Sequence, residues 1–243
     1  MTRPPILLEV CVDSPEGLDA ALAGGADRIE LCAALDLGGL TPAPGLMARA
    51  ARCGRPVHAM IRPAPGGFRL TTADVEAMIE DIAAVRQAGL AGVVLGASLA
   101  DGRLDRGALA ALRRAAQGLD CTLHRAFDLV PDVAEAVEVA VELGFHRILT
   151  SGGEVKVTDG LVRLEATFAA AADRIAVMPG SGVTLAVLPA LAHLPLREIH
   201  ASCAKPAPGT EAERALGFAG PGQRRTDAAT VAALKAALAA LPG

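Results

Sequence analysis

The chain has 243 residues, of which 52% are hydrophobic, 21% charged and 2% aromatic, with neither Trp nor Tyr. That length suits one β/α barrel, and so much apolar material excludes a disordered chain. A core left to Ala, Leu, Val and Ile favours buried parallel strands over an aromatic-rich antiparallel sandwich. A formal net charge of −4, from 23 basic and 27 acidic residues, lacks the footprint of a nucleic-acid or anionic-membrane binder.

The opening stretch through Gly17 is interrupted by Glu9 and Asp13 and lacks a small-residue cleavage site, so it is expected to form a first strand and not a leader. Between Ile175 and Leu196 no residue carries a fixed charge, but Pro179, Gly180, Gly182, Pro189, His193 and Pro195 divide the stretch into strand, loop and short helix. The five cysteines, Cys11, Cys32, Cys53, Cys121 and Cys203, form no C-x-x-C pair. They suit a reducing cytoplasm better than a disulfide framework or a zinc ribbon.

Short apolar runs alternate eight times with longer Ala- and Leu-rich stretches, as in βα units on a parallel sheet. The predicted strands are Ile6 to Cys11, Arg28 to Cys32, Val57 to Arg62, Gly92 to Leu95, Cys121 to Arg125, Arg147 to Thr150, Arg174 to Met178 and Arg197 to His200. The first helix is expected from Ser14 as N-cap, with Pro15 at its first position, to Ala23, stopped by Gly24-Gly25. Thr72 to Ala88 places Val75, Met78, Ile79, Ile82 and Val85 at helical spacing and stops at Gly89. Asp105 to Gln117, Asp132 to Leu143, Val157 to Ala172, Leu185 to Leu191 and Asp227 to Leu241 complete the predicted helices. Lys205 to Gly222, rich in Pro and Gly, is the candidate mobile loop. The expected fold class is α/β, a single (β/α)8 TIM barrel over residues 1–243.

Period-two alternation then sorts the strand residues by face. Glu9 with Cys11, Glu30 with Cys32, and His58 with Met60 and Arg62 are expected to point inward. Thr122 with His124 follows in strand five, Thr150-Ser151-Gly152 ends strand six, Gly180-Ser181-Gly182 ends strand seven, and His200 precedes Ser202 after strand eight. Carboxylate, imidazole and guanidinium groups at the C-terminal strand ends must be paired or functional, because isolated buried charge is costly. The candidate catalytic set is Glu9, Glu30, His58 and His124, with His200 a further inward imidazole. His146 and His193, at a strand start and a helix end, are assigned to structure, as are Cys53, Cys121 and Cys203.

Several of these stretches carry a family resemblance. Leu8-Glu9-Val10-Cys11-Val12-Asp13-Ser14, Gly24 to Cys32, Met60-Ile61-Arg62-Pro63, Asp101-Gly102, His124-Arg125-Ala126-Phe127-Asp128, Ile148 to Gly152 and Met178 to Gly182 closely resemble the copper homeostasis protein CutC family. The match runs from the first strand to about Ser202. The resemblance implies a cytoplasmic, homo-oligomeric β/α barrel linked to copper tolerance, with Cu(I) attributed to the cysteines that match Cys11 and Cys32. Two features depart from the family: Ala64-Pro65-Gly66-Gly67 stands where a second basic residue is expected, and the segment after Ser202 is short and Pro-rich.

Two classes of function stay open. Inward residues on adjacent parallel strands, about 4.8 Å apart, can bring two thiolates onto one Cu(I), which favours soft ligands. Cys11 and Cys32 also fit as small buried hydrophobes that fill a barrel layer. The alternative is an enzyme or binder acting on a small anionic, phosphorylated metabolite at the barrel mouth. There Arg62 and the loops Ser151-Gly152-Gly153 and Gly180-Ser181-Gly182 would hold the anion. No Walker motif, GxGxxG or nucleophile elbow points to a nucleotide cofactor or a particular reaction.

Overall fold

The computed structural model describes residues 5–218, 220 and 222–241. The remaining terminal residues, and residues 219 and 221 of the expected mobile loop, lie outside the described residues. In chain order the elements are β1 (Leu7–Val12), α1 (Pro15–Ala23), β2 (Arg28–Leu31), α2 (Pro44–Ala50), β3 (Val57–Met60), α3 (Thr72–Ala88) and β4 (Gly92–Leu95). They continue as α4 (Arg106–Ala115), β5 (Asp120–Leu123), α5 (Val133–Glu142), β6 (Arg147–Thr150), α6 (Leu161–Ala171), β7 (Ala176–Pro179), α7 (Leu188–Leu191) and β8 (Glu198–Ala201). A final excursion, β9 (Ala204–Pro206), α8 (Glu211–Ala215) and β10 (Arg224–Thr226), precedes α9 (Ala228–Ala239).

Strands β1 to β8 form one parallel sheet in the order β7-β6-β5-β4-β3-β2-β1-β8, which curls into a nearly closed TIM barrel with helices between the strands. The caps follow the local chemistry. The Ser14 side chain accepts the Gly17 N–H, Thr71 and Asp74 form a reciprocal capping box, and Asp105, Asp132 and Asp227 cap α4, α5 and α9.

Alternation sorts the core into two shells. Leu8, Val10, Ile29, Leu31, Leu95, Leu123 and Ile148 face outward and pack with Leu18, Met78, Ile82, Leu112 and Leu164 of the helices. Cys32, Met60 and Val94 form a separate small cluster. Each fully buried Leu or Ile contributes about 1.5–3 kcal/mol, so the outer shell carries most of the hydrophobic stability and leaves the interior free for polar groups.

Several elements differ from expectation: β3 and β5 end at Met60 and Leu123, before Arg62 and His124, while β7 starts at Ala176 and α7 at Leu188. Helix α2 was not foreseen, being one short run behind Pro44. Helix α6 starts at Leu161, because the preceding residues form a loop at the barrel mouth. The stretch after Lys205, expected to be a loop, carries an antiparallel pairing of Arg224 with Pro206 and Thr226 with Ala204, and Thr210 and Glu213 close a capping box on α8. Ladder and cap satisfy backbone groups that a bare loop would leave to water. The uncharged run from Ile175 to Leu196 resolves into β7, a turn and α7, and no helix among the described residues is long and apolar enough to cross a membrane.

Candidate functional site

The barrel interior is polar and layered. In the lower layer Glu9 is fully buried and paired with Arg28, which also reaches Glu198. Arg147 Nε bonds Glu198 Oε2 at 2.9 Å, and its two terminal nitrogens grip Asp120 at 2.8 and 2.9 Å. Burial alone would raise the Glu9 carboxyl, but Arg28 and then His200 more than offset it and hold it well below the usual carboxylate range. Burial works against the Arg28 charge too, yet Glu9 and Glu198 hold its pKa above the ordinary value.

His58 belongs to this layer, 3.5 Å from Arg147 Nη1 and 3.7 Å from Asp120 Oδ2. Burial is the main cause that pushes it down to about 4, so it is neutral at pH 7. The unfolded chain, with an ordinary value of 6.5, takes up this proton first as pH falls. The His58 contribution is therefore complete above pH 6.5 and lost between about 6.5 and 4, amounting to about 3 kcal/mol. Urea unfolding of His58→Gln between those limits should show a shallower acid slope than the wild type; equal slopes would assign the acid sensitivity to other groups.

Above this layer lies a cavity of about 730 Å³ at the C-terminal ends of the strands, with Cys11, Glu30, Met60, Arg62, His124 and His200 in its wall. The donor atoms of Cys11, Glu30 and His200 lie within 4.8 Å of one another. Ladder pairing explains the convergence, since Cys11 stands beside Glu30 across β1 and β2, and Glu9 stands beside His200 across β1 and β8. His200 Nδ1 meets Glu9 Oε1 at 2.8 Å, while Nε2 stands 3.9 Å from Glu30 Oε2. Burial disfavours a charged His200, but Glu30, Cys11 and Glu9 outweigh it and raise the imidazole well above its usual range. Burial raises Glu30, opposed by His200 and reinforced by Glu9, and its Oε1 has no hydrogen-bond partner among the described residues. The Cys32 thiol donates to Glu30 Oε2 at 3.5 Å, and burial with the Glu30 charge pushes it well up.

The remaining sequence candidates separate. His124 is buried; its Nδ1 accepts the Ala126 N–H at 3.1 Å, and burial pushes it down to about 3, so it stays neutral. The N–H groups of Ser151 and Gly153 donate to Asp128 Oδ1 at 3.1 and 3.0 Å, and that of Gly152 to Thr150 Oγ1 at 2.9 Å. Asp128 is itself held by Arg125 Nε at 2.6 Å. The chain's own carboxylate thus occupies the seat that the strand-six loop was expected to offer an external anion. Asp128 and Arg125 stand in the His124 motif, where the carboxylate four residues beyond His124 is the one sequence signal of this role. A Cβ at Gly152 would lie 2.1 Å from the Gly160 carbonyl oxygen, which explains glycine there. A Cβ at Gly180 would press on the end of the Leu149 side chain at 2.6 Å, whereas Ser181 and Gly182 take φ of 72° and 76°. Ser181 and Gly182 line the cavity; Glu9, Cys32 and His58 do not.

The CutC family model matches residues 6–205. The chain belongs to the CutC family. It is 57% identical over 241 residues to a CutC family protein of Sinorhizobium medicae, covering 97% of each chain. It is 51% identical over 245 residues to one from Caulobacter vibrioides, covering 99% of this chain and 100% of the relative. The crystal structure of CutC from Streptococcus agalactiae superposes with a TM-score of 0.77 at 30% identity, covering 81% of this chain and 98% of that one. The barrel of this CutC-family chain is thus shared with a solved CutC.

Proposed function

We propose that this CutC-family protein serves copper homeostasis in the reducing cytoplasm, taking up Cu(I) at the barrel mouth through Cys11 and His200. Glu30 stands beside them, and Cys32 is the neighbouring soft donor. The observation that carries this proposal is the convergence of Cys11, Glu30 and His200 in the wall of one cavity. A thiolate and an imidazole suit Cu(I). The Glu9 carboxylate on His200 Nδ1 leaves Nε2 for the ion, the arrangement in which a carboxylate orients a ligating histidine. The unpartnered Glu30 Oε1 marks a buried acceptor that a bound cation would satisfy. The Streptococcus agalactiae relative carries a provisional copper homeostasis name, which points the same way.

Anaerobic titration with Cu(I) against a competing chelator tests the site. Cys11→Ser is expected to weaken Cu(I) binding by about 100-fold or more, the upper range found when even outer partners of a metal site are lost. Cys32→Ser should weaken it less. Wild-type affinity in the Cys11→Ser, Cys32→Ser double variant would remove the site.

A further inference from the structure

We propose that the same cavity also binds a small organic anion, a molecule bearing a phosphate or carboxylate group, with Arg62 as its anchor. The cavity, about 730 Å³, is far larger than one ion needs and falls within the range of small-molecule sites.

Arg62 is only 8% exposed. Its Nη1 donates to the carbonyls of Leu37 and Gly39 at 3.0 and 3.1 Å and its Nη2 to that of Gly66 at 2.7 Å, with the Phe68 ring centroid 5.2 Å away. Carbonyls orient the guanidinium but do not neutralise it. Among the described residues, no carboxylate pairs with Arg62, whereas the other buried arginines, Arg28 and Arg147, each hold two. Arginine keeps its proton even when buried, so Arg62 carries a charge that no carboxylate among the described residues offsets.

Arg62 Nε, a buried donor on a side chain of the cavity wall, has no hydrogen-bond partner among the described residues. Unsatisfied buried donors are rare in native proteins, and an absent ligand is one of their ordinary causes. Across the mouth, the N–H groups of Ser181 and Gly182 donate to no group among the described residues. The Ser181 backbone is held in the left-handed region, at φ 72°. Successive N–H groups in such a turn form a concavity for oxyanions, and the loop after strand seven is a common phosphate seat in these barrels. An anion anchored at Arg62 therefore shares its cavity with Cys11, Glu30 and His200.

Thermal unfolding of the full chain, stripped of metal and held in a buffer whose acid is a cation and whose base is neutral, tests the proposal with inorganic phosphate and with malonate against KCl at matched ionic strength. A ligand of the native state raises its apparent stability by mass action. At least one anion is expected to give a saturable rise in Tm that KCl does not. Phosphate alone would mark a phosphate ester as the ligand class, and malonate alone a carboxylate. Arg62→Met should raise the half-saturating concentration at least tenfold, and Arg62→Lys should restore part of it. A response no greater than that to KCl, or an Arg62→Met response equal to the wild type, overturns the proposal. If Arg62→Met does not fold, alkylation of Cys11 by iodoacetamide in the wild type decides: the effective anion should slow it, and an unchanged rate overturns the anchor. Metal is absent throughout, so the outcome is independent of the Cu(I) titration.

Discussion

Arg28→Met is expected to destabilise the protein by about 3–5 kcal/mol, the usual cost of leaving a buried charge without its partner. Glu9 is fully buried, and without Arg28 its remaining close partner is His200, while Glu198 keeps Arg147. Methionine retains much of the side-chain bulk, so the loss reports charge and not a cavity. Urea denaturation of Arg28→Met, Glu9→Gln and the double variant provides the check, with the double expected to recover much of the Arg28→Met loss. A loss below about 1 kcal/mol would place this pair with exposed ones such as Arg49 with Asp19, where removal of a partner costs about 1 kcal/mol or less.

Glu9→Gln should also weaken Cu(I) binding by about 10- to 100-fold without removing any ligand, because its carboxylate fixes which nitrogen of His200 faces the cavity. Glutamine keeps a hydrogen-bonding oxygen but loses the charge that supports the imidazole. The measurement is a chelator competition at fixed pH on Glu9→Gln beside Cys11→Ser. An affinity within twofold of the wild type would mean that His200 is oriented by packing alone. Together these two variants ask whether the buried ion pairs serve the site as well as the fold.

Much of the architecture is legible in local sequence. Thr72–Ala88 matches the expected helix end to end, since a Thr71 cap, a helical stripe and Gly89 at φ 76° all lie within one stretch of chain. Gly92–Leu95 and Arg147–Thr150 match their predicted strands as well. Helix α2 escaped because seven residues behind a proline show too little periodicity to stand out. The hairpin of β9 and β10 escaped because its two three-residue strands pair across an insertion rich in Pro and Gly, which resembles a loop.

The site divides along the same line. Alternation along the predicted strands put Glu9, Cys11, Glu30, His58, Arg62, His124 and His200 on the inner face, and all seven are buried, although Arg62 and His124 lie just beyond the ends of β3 and β5. That property is local, because it depends only on the two-residue period of an extended chain and an apolar outer face. Which inner groups meet is not local. Closing the barrel sets the height of each strand against its neighbours, and so lifts Cys11, Glu30 and His200 into one cavity wall while leaving Glu9 and His58 beneath it. The same closure brings Asp128 into the strand-six loop and leaves Arg62 among carbonyls without a carboxylate. Family, the succession of strands and the direction of their side chains were therefore legible in local stretches of chain. The partners of those side chains were decided only by the tertiary structure, because strand register is settled by packing summed over the whole barrel and by no single stretch of chain.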